Sequence, residues 1–322
     1  MNTSTNQIKD QILIARRSDL EKSKELCLSL LNDHQADYHT CAFAYTFLAD
    51  YYFLKDDMDN CTYTLYIART LSEKNEFEDL LIRIYHYYGI IYLNYGDYQT
   101  SVDYYFKALK LSKKNKMTYF TAAIYNNIAN IFETAEDLEE AFEYYKKGFE
   151  TLNEPKSSSE YQTRAVTLTN LCNISYQKER YDQLAQYYTK FLAIPKEVYT
   201  DTMTFLYHFN QFLYHVSIHQ IRDALHALDH LMNAQELLKD RMAVYQMFVY
   251  VCDILIKINE QAMAWQTLQI IEKCDSAKEA IHALKVIEMK IHYYEQFQYH
   301  DELIEAYKEY YEVNLVCSKI IR

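Results

Sequence analysis

Glycine and proline are scarce in this chain of 322 residues, which contains 3 glycines, 2 prolines and 1 tryptophan. Sheets and irregular loops normally use glycine and proline at their turns, whereas long helices avoid both residues. The shortage therefore predicts an all-α protein with short connections. It also excludes a glycine-rich phosphate-binding loop of the usual form.

Basic segments are also few, and the formal net charge is −12. The basic runs are short, as at Arg16-Arg17 and Lys113-Lys114. A surface of this charge repels nucleic acids and anionic membranes, so we expect neither as a direct partner. The sequence contains no HExxH, GxSxG or GGDEF-type motif, and we predict a non-catalytic protein without a cofactor.

The seven cysteines lie far apart and form no CxxC pair. This pattern is typical of reduced, buried thiols in a cytoplasmic protein. The N-terminal residues are polar and do not resemble a secretion signal. The most apolar run, Met247 to Ile258, is interrupted by Asp253 and is too short to span a membrane.

A repeat of about 40 residues organises the chain, and its clearest unit runs from Ile82 to Lys113. This unit predicts two amphipathic helices joined by a tight turn at Gly96-Asp97. The small residues Gly89, Ser101 and Ala108 fall on the faces where the two helices meet, so that the backbones can approach closely.

The positions of these large, small and aromatic residues resemble the tetratricopeptide repeat. The preceding and following units carry Ala49 and Ala129 where this one has Gly89. The resemblance implies a right-handed superhelix, or α-solenoid, of about eight helical hairpins. The long period resembles the repeat regions of Gram-positive peptide-pheromone receptors and of the sensors attached to diguanylate cyclases.

We expect residues 1–322 to form a single superhelical domain. The strongest repeats span residues 42–150, degenerate repeats span 161–302, and a C-terminal helix spans 303–322. Between the first two regions lies a turn-rich loop, residues 153–160, which contains Pro155. This loop is either a long connection between repeats or a linker between domains, and both interpretations remain open.

The C-terminal helix, Leu303 to Arg322, carries apolar residues at alternating spacings of three and four, as in a two-stranded coiled coil. Two interpretations are open: the helix packs on its own repeat, or it forms a homodimer or passes a signal to an output domain. The residues concerned are Leu303, Ala306, Tyr310, Val313, Cys317 and Ile320.

Two groups of side chains could bind metal by composition, but their arrangement argues against it. His215 and His219 form one pair spaced by four residues, and His226 and His230 form another. A turn separates the pairs, so we predict surface histidines and no metal site. The acidic residues from Glu133 to Glu143 are predicted to lie mostly on a solvated rim.

The resemblance places the binding surface on the concave face, which the first helix of each hairpin lines. Amide side chains there can donate and accept hydrogen bonds to an extended peptide backbone, although asparagines can also bond between helices. We predict a peptide- or protein-binding regulatory module, and the alternative is a homo-oligomeric scaffold. The predicted binding residues are Arg83, His86, Asn94, Asn126, Asn130, Glu133, Thr169, Asn173, Tyr176, Gln177 and Phe209.

Overall fold

The structure, a computed structural model, describes residues 3–33, 35–238, 241–274 and 280–320. Within these ranges the fold is all-α, with sixteen α-helices paired into eight hairpins, two short 3₁₀ helices and no strand. The helices are α1 Thr3–Ser18, α2 Leu20–Asn32, α3 Tyr38–Leu54, α4 Met58–Lys74, α5 Glu78–Asn94, α6 Tyr98–Lys114, α7 Thr118–Thr134, α8 Leu138–Thr151, α9 Ser158–Gln177, α10 Tyr181–Leu192, α11 Asp201–Ser217, α12 Ile221–Ala234, α13 Arg241–Lys257, α14 Gln261–Lys273, α15 Ala280–Gln296 and α16 His300–Ile320.

The chain divides into two compact units, the first ending at Val198 and the second beginning at Tyr199. The first contains five hairpins, α1 to α10, and the second contains three, α11 to α16. The loop at residues 153–160 lies inside the first unit, where Ser157 and Glu160 form a capping box at the start of α9. That a single domain spans residues 1–322 remains a prediction.

In the first unit, the helices form two layers. Each odd-numbered helix is the first of its hairpin, and it packs on its own partner and on the second helix of the preceding hairpin. Successive first helices from α3 to α9 also contact one another, more extensively than successive second helices do. The first helices therefore form the inner layer, which we call the first-helix layer.

The hairpin turns share one backbone motif. In the seven turns from α3–α4 to α15–α16, one residue adopts a left-handed conformation with φ between 56° and 75°. In the α5–α6 turn the following N–H, that of Asp97, donates to the carbonyl of Tyr92 at 2.9 Å, which is a Schellman bond. Only Gly96 among the seven is a glycine, which reconciles the low glycine content with regular turns. The left-handed residues are Asp56, Gly96, Glu136, Glu179, His219, Asn259 and Gln298.

Aspartate caps strengthen the earlier hairpins. Asp57, Asp97 and Asp137 each directly follow the left-handed residue and accept a hydrogen bond from a backbone N–H in the first turn of the next helix. Arg180 and Gln220 occupy the equivalent positions in later hairpins and make no such side-chain bond. This loss accompanies the weaker repeat pattern after residue 161.

The close approach predicted at Gly89 is confirmed. A Cβ atom on Gly89 would lie 2.3 Å from Cε1 of Tyr105, whose side chain is completely buried. The hydroxyl of Ser101 donates to the carbonyl of Gly89 at 2.7 Å. The ring of the second helix thus occupies the space that a side chain on the first helix would need.

Replacing Gly89 with alanine tests this contact. In an unobstructed helix the change stabilises the protein by about 1 kcal/mol, but here the overlap with Tyr105 reverses the sign. We expect Gly89→Ala to lower the free energy of unfolding by about 1–3 kcal/mol in urea titrations. The second change Tyr105→Leu should cost less in the Gly89→Ala background than in the parent. A Gly89→Ala protein as stable as the parent would mean that the helices are not in this register.

Candidate functional site

The predicted binding residues fall into three classes of exposure. Asn94, Asn130 and Gln177 are exposed at the surface, whereas Arg83, His86, Glu133, Asn173 and Tyr176 are partly buried. Asn126, Thr169 and Phe209 are at most 6% exposed. All except Phe209 belong to the first-helix layer of the first unit.

Burial corrects the prediction for Asn126, Thr169 and Phe209, which cannot contact a ligand directly in this conformation. Asn126 Nδ2 donates to Thr167 Oγ1 at 2.7 Å and so joins α7 to α9. Thr169 donates to the carbonyl of Ala165 in its own helix at 3.0 Å. Phe209 packs inside the second unit, with its ring 6.3 Å from that of Tyr250.

His86 also joins two first helices. Its Nε2 atom accepts a hydrogen bond from Nδ2 of Asn127 at 2.9 Å, linking α5 to α7. Burial, and then the charge of Arg83, lower the pKa of His86 to about 4, so the ring is neutral at physiological pH. A neutral ring is what this bond requires, because Nε2 must carry a lone pair.

Arg83 lies between two aromatic rings of neighbouring first helices. Its guanidinium carbon is 4.9 Å from the ring centre of Phe47 in α3 and 5.0 Å from that of Phe120 in α7. Such cation–π contacts stabilise by about 0.5–2 kcal/mol each. On the other side of Phe47, Arg16 forms a two-bond ion pair with the buried carboxylate of Asp50, at 2.7 and 2.9 Å.

A cluster around Glu133 differs from these internal contacts because part of it is open. Glu133 Oε2 accepts from the hydroxyl of Tyr145 at 2.8 Å, and Oε1 accepts from Nδ2 of Asn173 at 3.4 Å. The Tyr145 hydroxyl also bonds to Oδ1 of Asn130. Tyr145 lies in α8, so the cluster draws on three helices, α7, α8 and α9.

The carboxylate of Glu133 has neutral partners only among the described residues. Burial raises its pKa above the ordinary value, and the hydrogen bond from Tyr145 opposes that shift without cancelling it. Burial, and then the nearby carboxylate, hold the pKa of Tyr145 well above its ordinary range. The predicted solvated rim is therefore wrong for Glu133. It holds for Glu139, which pairs with Lys178 at 2.8 Å and with Arg180.

Three histidines meet in the second unit. The ring of His208 in α11 stacks on that of His230 in α12 at 5.0 Å, and His226 lies 4.6 Å from His230. Burial and the neighbouring His230 lower the pKa of His208. Across the part of the chain that the structure describes, no three His, Cys, Asp or Glu side chains are arranged to hold a metal ion.

Helix α16 packs along α15. Ala306 is buried and Leu303, Tyr310 and Val313 are partly buried, while the side chains of residues 317 and 320 lie outside the described residues. The described part of the predicted seam is thus covered within the hairpin. A different set of apolar side chains on α16 is exposed, namely Ile304, Tyr307, Tyr311 and Leu315.

Residues 80–154 match the family model of the tetratricopeptide repeat. These residues form tetratricopeptide repeats. The matched segment contains the Gly89–Tyr105 contact and Glu133 with its partner Tyr145. The sequence has no match among curated proteins. None of the described helices is long and apolar enough to cross a membrane.

Solved structures share the fold. A Rap protein complexed with Competence and Sporulation Factor is 12% identical, with a TM-score of 0.65 over 98% of this chain and 88% of that one. The quorum sensor NprR from B. thuringiensis is 16% identical, with a TM-score of 0.65 over 96% and 86%. BtubC from P. vanneervenii is 20% identical, with a TM-score of 0.53 over 72% and 92%. At these identities the likeness shows the fold alone, a TPR-like α-solenoid.

The charge of Glu133 predicts a pH-dependent effect on stability. Because the pKa of the folded protein lies above the ordinary value of 4.5, the folded state holds this proton more tightly than the unfolded state does. The free energy of unfolding therefore falls as the pH rises from about 4.5 through the folded pKa. Glu133→Gln keeps a hydrogen-bond acceptor and removes this penalty.

We expect Glu133→Gln to be more stable than the parent at pH 7, with the difference shrinking as the pH is lowered to 4. Urea unfolding at several pH values measures this difference. Glu140→Gln removes an exposed carboxylate near the start of the next helix and serves as the matched control. A Glu133→Gln protein that is less stable than Glu140→Gln at pH 7 would contradict the prediction.

Proposed function

We propose that this chain is a non-catalytic regulatory module of a bacterial signalling protein, and that its first-helix layer binds an extended peptide or protein segment in the cytoplasm. One observation carries the proposal. Exposed or partly buried amides follow one another along three successive first helices, at Asn94, Asn130, Asn173 and Gln177. Amides on neighbouring helices can bind successive peptide groups of an extended chain.

The comparisons support the choice of ligand class. Two of the proteins with the same fold are described as a complex with Competence and Sporulation Factor and as a quorum sensor. Net charge supports the exclusion of nucleic acids and anionic membranes as direct partners, because the chain carries −12. In this proposal the ligand changes the packing of the hairpins, and helix α16 passes that change to a partner or to an output domain.

The accessible amides define the test, and Asn126 is left unchanged because it is buried between helices. Immobilised protein selects from a pool of random hexapeptides, and mass spectrometry quantifies the enrichment. We expect Asn130→Ala combined with Asn173→Ala to lower the enrichment of the selected peptides about tenfold or more, since each lost hydrogen bond costs about 0.5–1.5 kcal/mol.

The control combines Gln99→Ala with Gln186→Ala, which removes two exposed amides from the second helices α6 and α10. It should select the same peptides as the parent. The proposal fails if the parent enriches no peptide, or if the two double variants behave alike.

A second candidate function is a homo-oligomeric scaffold. The observation that favours it is the exposed apolar face of α16, where Ile304 and Tyr311 are 54% and 66% exposed. Large apolar side chains aligned on one helix face are common in protein–protein contacts. This face is not the seam predicted from the spacing of Leu303 and Ala306.

Sedimentation equilibrium at micromolar concentration tests the scaffold. If the face joins two copies, the parent sediments as a dimer, and Ile304→Glu with Tyr311→Glu converts it to a monomer by burying charge in the contact. Gln186→Glu adds an exposed charge on another helix and should leave the dimer intact. A monomeric parent rules the scaffold out.

A further inference from the structure

The carboxylate of Glu133 is the starting point, and the inference rests on the peptide-binding function proposed above. Among the predicted binding residues, Glu133 is the one carboxylic acid. It lies on the first-helix layer between Asn130 and Asn173, both of which it meets through the same small cluster.

The cluster leaves this carboxylate poorly compensated. Its bond to Tyr145 is a good one at 2.8 Å, but the bond from Asn173 is long at 3.4 Å. Partly buried carboxylates normally pair with a cation, because removing a charge from water without such a partner costs several kcal/mol. Other inter-helix carboxylates in this unit follow that rule, as Asp50 does with Arg16.

A second polar atom beside it also lacks a partner. Oδ1 of Asn173 is buried and accepts no hydrogen bond from the described residues. The open positions of the cluster are therefore acceptors: the carboxylate of Glu133 and the amide oxygen of Asn173. An ammonium group brings three donors and a positive charge, and a guanidinium group brings five.

A purely structural role does not explain the charge. A glutamine at this position could accept the same hydrogen bond from Tyr145 and would join the same three helices without the cost of a buried carboxylate. The carboxylate is therefore retained at a cost to stability, which is typical of binding sites whose groups are completed by a ligand.

We propose that Glu133, assisted by Asn173, binds the positively charged group of the ligand held on the first-helix layer. The group is an arginine or lysine side chain of the peptide, or its free amino terminus. The net charge of −12 favours the approach of such a ligand.

Selection from defined hexapeptide pools tests the proposal. One pool fixes a single arginine, one a single lysine and one a single citrulline, the neutral analogue of arginine, and each is prepared with a free or an acetylated amino terminus. We expect the parent to enrich the cationic pools about tenfold over the citrulline pool, because a hydrogen bond to a charged group contributes about 1.5–3 kcal/mol. If the amino terminus is the group bound, acetylation abolishes the enrichment instead.

Glu133→Gln should lose this preference, while the matched control Glu140→Gln should keep it. Urea unfolding of both variants confirms that each is folded. Stability and selectivity should move in opposite directions for Glu133→Gln, a combination that a merely structural carboxylate would not produce. An unchanged cationic preference in Glu133→Gln overturns the proposal.

A peptide-free measurement separates this inference from the function on which it rests. Butylguanidinium is titrated into protein with ¹³C-labelled glutamate, and the carboxyl shift of Glu133 is followed, with butylurea as the neutral control. A saturable shift with butylguanidinium alone supports the cation site even where no peptide is enriched. Peptide enrichment without cationic preference, together with no such shift, leaves the peptide-binding function standing and rejects the cation site.

Discussion

The contact between a tyrosine ring on the second helix and a small residue on the first is the constraint on which the hairpins depend. Tyr105 covers Gly89, and Tyr145 occupies the equivalent position in the next hairpin, where Ala129 replaces the glycine. Both tyrosine side chains are completely buried. The ring fills the gap between two closely spaced helices, and the direction of the ring then fixes where the hydroxyl emerges. In the fourth hairpin the hydroxyl emerges beside Asn130 and Glu133. The residue that determines packing is thus also the residue that organises the candidate site.

Polar side chains of the first-helix layer divide into two sets. Asn126 and His86 form bonds between adjacent first helices and hold the layer together. Asn130 and Asn173 lie further toward the C-terminal ends of the same helices and retain unused bonding capacity. A ligand on this surface would therefore bind to a scaffold whose own hydrogen bonds are already made. Such preorganisation lowers the entropic cost of binding.

The sequence predicted the repeat well because the small residues recur at a fixed spacing and only close helix packing requires them. Gly89 marked the register of the hairpins correctly. The same pattern could not separate Asn126 from Asn130, which lie one turn apart on α7. Their difference depends on Thr167 and on Gly148, whose missing side chain leaves room for Asn126: a Cβ there would lie 2.8 Å from its Oδ1. These partners come from other helices, so no local pattern on α7 contains them. The burial of Glu133 was missed for the same reason, since its partner Tyr145 was read only as a packing residue.

The left-handed turns have a consequence for how this chain can change in length. Six of the seven turns fold identically around residues other than glycine, so backbone hydrogen bonds rather than side chains define them. A residue inserted within a helix would rotate everything after it by about 100° and turn its inner face away from the layer. Insertions are therefore tolerable only where no helix must stay in phase with the next turn. The longer spacing between Glu136 and Glu179 shows this, because its extra residues lie in the loop between Thr151 and Ser158.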